Sequence, residues 1–109
     1  MTGLDTNVLI RIFFEDDPAQ ADRIRRFLKH ARGKRETVYV SLIVLCETAW
    51  VLRASLGKSR GEIASVFEKI LDTDVFQVEQ EQAVRAAVQT YRNGPGDFSD
   101  CLIGQPNLA

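Results

Sequence analysis

The 109-residue chain predicts an α/β fold, a parallel sheet with helices on both faces. Two observations carry that expectation. Short strand-like runs, "TGLD", "TVYVS" and "DVFQVE", are each followed by segments whose apolar residues recur at helical spacing. No repeat, low-complexity tract or linker interrupts the alternation, and the length fits one domain over residues 1–109. Right-handed crossovers would join the strands.

The elements follow in order. "TGLD" is a strand ending at Asp5, and "TNVLIRIFF" is helical until "EDDP" breaks it. Asp17 before Pro18 makes a helix start, with proline at the first helical position. Ala21, Ile24, Phe27, Leu28 and Ala31 then mark an inward face as far as Gly33. "TVYVS", residues 37–41, is β-branched and aromatic, hence a strand. "LIVLCETAWVLRASLG" reads as a mostly buried helix ending near Gly57. Ser59 and Glu62 form a capping-box pattern that opens the next helix, with Ile63, Val66, Phe67, Ile70 and Leu71 on one face. After "DVFQVE", a helix places Ala83, Val84, Ala87, Val88 and Tyr91 inward and stops at Gly94. A last short helix starts at Asp97 and ends before Pro106.

Hydrophobic residues are 45% and charged residues 27%, the balance of a soluble globular protein. No apolar run suits a bilayer span, and the N-terminus lacks the pattern of a signal peptide, so a cytoplasmic protein with no membrane partner is expected. Cys46 and Cys101 sit in apolar runs and read as buried thiols of a reducing compartment rather than a disulfide. Net charge is only −1, but Arg23 to Arg35 holds seven of the fourteen Lys and Arg and no acid. Arg25, Lys29 and Arg32 share a helix face there and are candidate nucleic-acid contacts. The plainer reading, which weighs slightly more, is a solvated basic end that complements the helix dipole.

The acids carry the chemistry. Asp5 ends the first strand, where ligands of parallel sheets gather, although alone it reads as a helix cap. Glu47 is the one charge in "VYVSLIVLCETAWVL". An isolated carboxylate is expensive to bury unless paired or metal-bound, and a narrow exposed stripe would show more polar residues at helical spacing, so Glu47 is read as buried and functional rather than as part of such a stripe. Asp97 and Asp100 lie one turn apart on one face, Asp97 reading chiefly as a cap. Were Asp5, Glu47 and Asp100 to meet, each pair about 4 Å apart would repel by roughly 4 kcal/mol at an effective dielectric near 20. A divalent cation removes that repulsion, and all-oxygen ligands select Mg²⁺ or Mn²⁺ over zinc. His30, the sole histidine, lies in the basic segment, which argues against a histidine base. Metal-activated water attacking a phosphodiester is the chemistry left.

"GLDTNVLIRIF", "VSLIVLCETAWVLR" and "GPGDFSDCLIG" together resemble three successive motifs of the PIN-domain family, in particular the VapC-type toxins of toxin–antitoxin pairs. The resemblance implies a Mg²⁺- or Mn²⁺-dependent endoribonuclease on a three-layer α/β/α sandwich, normally a homodimer, held inactive by a cognate antitoxin. By motif match, Asp5, Glu47 and Asp100 are its metal-binding and catalytic acids. Asn7 matches a polar position that orders the site, and Asp97 an accessory acid. Members of the family continue into a further strand–helix–strand segment bearing another acid, so this chain is expected to be incomplete at its C-terminus. Its first strand should then show an unpaired edge near Gly3–Asp5, a template for association. The rival reading is a non-catalytic remnant that binds an antitoxin or itself. A receiver-like module phosphorylated on Asp5 is disfavoured, because no acidic pair precedes Asp5 and Glu47 would go unexplained.

Overall fold

A computed structural model describes residues 2–15 and 17–109, with only the backbone of Thr2. The strands are β1 (Thr2–Gly3), β2 (Val38–Val40) and β3 (Phe76–Val78), and they form a parallel sheet in the order β1-β2-β3. Thr2 and Gly3 stand opposite Val38 and Tyr39, and Val38 to Val40 stand opposite Phe76 to Val78. The Leu4 amide extends the ladder by donating to the Tyr39 carbonyl at 2.9 Å. Among the described strands β1 is an edge, bonded to β2 on one side only. That is the edge expected near Gly3–Asp5.

The helices are α1 (Thr6–Phe13), α2 (Gln20–Gly33), α3 (Leu42–Ala54), α4 (Arg60–Asp72), α5 (Glu81–Asn93) and α6 (Phe98–Ile103). Alternation along the strands decides how they cover the sheet. Val38, Val40, Phe76 and Val78 are buried on one face, where Phe76 packs against the rings of Phe13 on α1 and Phe27 on α2. Gln77 on the other face is exposed and Tyr39 half-buried. Among the described residues, the face of Val38, Val40, Phe76 and Val78 is therefore the more fully covered one. The α/β class stands.

Three local expectations are corrected. Asp17 does not cap α2 directly, because residues 17–19 form a turn and the helix begins at Gln20. The Asp17 carboxylate instead accepts from the Ala19 amide and pairs with Arg23 at 2.9 Å, which draws it away from a capping position (Asp16, in the same break, lies outside the described residues). Ala21 is exposed, so the inward face of α2 runs from Ile24. Helix α3 is not mostly buried: Ile43, Glu47 and Trp50 face outward together. The capping box at Ser59 and Glu62 forms, and Gly57 takes a left-handed φ of 63° just beyond α3.

Candidate functional site

Asp5 sits where β1 ends and α1 begins. Its extended backbone and the Val8 amide, which donates to Oδ1 at 2.9 Å, make it the N-cap of α1. One oxygen is thereby occupied, and the side chain stays exposed at the carboxyl end of the sheet. The next residue, Thr6, reaches across to α3 and donates its hydroxyl to Glu47 Oε1 at 3.2 Å. Asp5 and Glu47 are therefore brought to neighbouring positions by a residue adjacent to one of them.

Glu47 is exposed, which corrects the expectation of a buried carboxylate. The outward stripe of α3 is built from Ile43 at 72% exposure and Trp50 at 64%, so apolar identity hid its orientation. The N-terminus of α3 is fixed twice: Ser41 caps it by accepting from the Val44 amide at 3.2 Å, and Glu79, just beyond β3, accepts from the Leu42 amide at 2.9 Å.

Helix α6 brings the remaining acids. Asp97 caps it, accepting from the Asp100 amide at 2.9 Å, after a turn in which Gly96 adopts φ 93°. Phe98, Cys101 and Leu102 bury the inner side of the helix, and burial pushes the Cys101 thiol up from its ordinary pKa. Asp100 is left exposed on the outer side, and among the described residues its carboxylate accepts no hydrogen bond. Helix α6 packs on α3, and a hollow between them is lined by Cys46, Glu47, Trp50, Val51 and Ser99. Asn7 is exposed on the first turn of α1.

The donor set has the chemistry of a hard divalent cation: three carboxylates with free oxygens and no thiolate or imidazole among them. Its arrangement is open. Among the described residues, no group of three or more His, Cys, Asp or Glu is placed to hold a metal ion, Asp5, Glu47 and Asp100 included. All three are exposed side chains, Asp5 at the cap of α1, Glu47 on α3 and Asp100 on α6.

Residues 3–105 match the family model described as PIN domain. The chain belongs to the PIN-domain family. A VapC ribonuclease of Aquifex aeolicus (strain VF5) is 31% identical over 102 residues, which cover 94% of this chain and 75% of that protein. No solved structure gives a significant match.

In this PIN domain the basic segment is partly neutralised. Arg25 pairs with Asp22 at 2.7 Å and Arg32 with Asp74 at 2.8 Å, while Lys29 is exposed and forms no ion pair among the described residues. His30 lines a hollow beside the β1 edge together with Asp5, Glu36 and Phe27. Sequence reasoning passed over Thr6 and Glu79. The hydroxyl inside "DTN" was the available signal for Thr6, whereas Glu79 gives none before the strands are placed.

Proposed function

We propose that this PIN domain is a Mg²⁺- or Mn²⁺-dependent endoribonuclease, the toxin of a cytoplasmic toxin–antitoxin pair, with Asp5, Glu47 and Asp100 as its metal-binding and catalytic acids. The observation that carries the reading is the Thr6–Glu47 hydrogen bond, which ties the acid of α3 to the strand end that presents Asp5. Family membership and the 31% identity to a VapC ribonuclease support the reaction class. A bound Mg²⁺ or Mn²⁺ would supply an activated water and neutralise phosphodiester charge.

The chain's own residues would do the rest. Asp5 is held at the strand end by the Val8 amide and keeps one oxygen for the ion. Thr6 orients Glu47, Asp100 closes the group from α6, and Asn7 and Asp97 are accessory. Lys29, exposed and without an ion pair among the described residues, would meet RNA phosphate directly, whereas Arg25 and Arg32 would first exchange their partners. A cognate antitoxin and a second copy of the chain are the expected protein partners.

The experiment is Mn²⁺-dependent cleavage of RNA by wild type and by Asp5→Asn. Asparagine caps a helix about as well as aspartate, so this change should leave stability nearly unaltered while abolishing cleavage and weakening Mn²⁺ binding. Equal Mn²⁺ affinity or equal cleavage in the two proteins would refute the shared site. A second reading, a non-catalytic remnant that binds an antitoxin or itself, draws on the open acid arrangement and on the exposed apolar stripe of Ile43 and Trp50. It predicts self-association and no cleavage by the wild type.

A further inference from the structure

Beside the acids lies a cleft of about 300 Å³, at the small end of ligand sites, lined by residues of α3, α4, α5 and α6. It adjoins the hollow at Glu47, sharing Cys46, Trp50 and Ser99 with it. Its inner wall is unusual for a packed domain. Tyr91 is 1% exposed, and its hydroxyl has no hydrogen-bond partner among the described residues. Arg60 lays its guanidinium over the Tyr91 ring, 4.1 Å from the centroid, and donates from Nε to the Tyr91 carbonyl at 2.8 Å. Its Nη2, however, is shut from solvent and likewise without a partner.

Buried polar atoms are nearly always hydrogen-bonded, so two orphans on residues lining one cleft call for an explanation. A purely structural clasp between α4 and α5 would be complete with the Nε bond and the ring contact. The spare N–H and O–H point instead to a ligand with hydrogen-bond acceptors. At the mouth stands Trp50, largely exposed, with Arg53 and Asp97 nearby. An aromatic plane, two arginines and a carboxylate suit a nucleobase, which stacks on the ring and offers both acceptors and donors at its edge.

We propose that this cleft binds the base of one unpaired RNA nucleotide next to the acidic centre, stacked on Trp50 and bonded to Arg60 Nη2 and the Tyr91 hydroxyl. Both donors are closed to solvent, so the base reaches them only as side chains lining the cleft move. Burial raises the Tyr91 pKa above the ordinary phenol value, which keeps the hydroxyl protonated and able to donate. The inference rests on the ribonuclease reading for its ligand and adds to it a positioning site, one that would favour single strands over duplexes.

Trp50 is the sole tryptophan, so its fluorescence reports on the cleft directly. The titrants are a single-stranded RNA dodecamer, the same sequence as a duplex, and inorganic phosphate, all with EDTA so that binding is read apart from cleavage. The expected result is saturable quenching by the single strand, with far weaker binding of the duplex and of phosphate. Tyr91→Phe should weaken that binding by about three- to tenfold, the loss of one hydrogen bond. Because the hydroxyl has no partner among the described residues, the same change should leave the Tm unchanged or raise it. Arg60→Met should weaken binding further, and if that variant fails to fold, Tyr91→Phe still decides. Absent quenching, equal affinity for phosphate or duplex, or a Tyr91→Phe protein that binds normally would overturn the proposal. Cleavage without quenching would overturn the cleft and leave the ribonuclease standing. Quenching without Mn²⁺-dependent cleavage would do the reverse.

Discussion

Phe98 should be the residue on which the position of Asp100 depends. It opens α6, is 1% exposed, and meets two rings edge-on: Phe67 at 5.2 Å and 81°, and Tyr91 at 5.9 Å and 85°. Replacing a buried Phe by Ala removes transfer energy and leaves a cavity, together about 3–5 kcal/mol. Edge-on aromatic pairs each add about 0.5–1.5 kcal/mol beyond area burial, so two of them place Phe98→Ala near the middle of that range or above, about 4 kcal/mol. For domains of roughly this size, 1 kcal/mol moves the Tm by at least about 4 °C, which makes the expected drop at least about 16 °C. The assay is urea and thermal unfolding followed by circular dichroism, with Ile103→Ala as the control. Ile103 lies on the same short helix but is 73% exposed, so its truncation should stay within about 0.5 kcal/mol of wild type. A Phe98→Ala loss below about 1 kcal/mol, or equal losses in the two variants, would refute the claim that packing of the first turn holds α6. At temperatures where Phe98→Ala is still folded, Mn²⁺ affinity should fall as well, because the acids at Asp97 and Asp100 ride on that helix.

Two further outcomes test the charged surface. Arg23 holds the Asp17 carboxyl below its ordinary pKa, and Arg32 does the same for Asp74. A depressed carboxylate stabilises the fold above its unfolded pKa and loses that contribution as pH falls through the folded value. Arg23→Gln and Arg32→Gln should therefore differ from wild type in urea midpoint at pH 6 and converge on it near pH 2, and a gap that widens in acid would refute this sign. Replacing Arg25, Lys29 and Arg32 together by Gln should weaken RNA binding and flatten its dependence on salt, whereas an unchanged salt slope would return α2 to the role of a solvated face.

Much of the fold was legible because local chemistry and tertiary structure agree. The Ser59–Glu62 capping box, the β-branched run of β2 and the inward stripe of α5 are all decided within a few residues of chain, and all three form as read. The same holds for Asp5 and Asp97 as helix caps, since a cap needs only its own helix. The orientation of α3 was not legible. A helix apolar on nearly every side carries no periodic signal, so only its packing against α1, α4 and α6 decides that Ile43, Glu47 and Trp50 face out. The start of α2 was likewise decided at a distance, by Arg23 capturing the carboxylate that would otherwise cap the helix. The pairing of Thr6 with Glu47, and of Arg60 with Tyr91, joins residues 41 and 31 positions apart. Composition and spacing describe each partner alone. Contacts of that span exist only once the crossovers have laid one helix against another, so the acid types belong to the sequence, whereas the hydrogen bond that ties Glu47 to the end of β1 belongs to the fold.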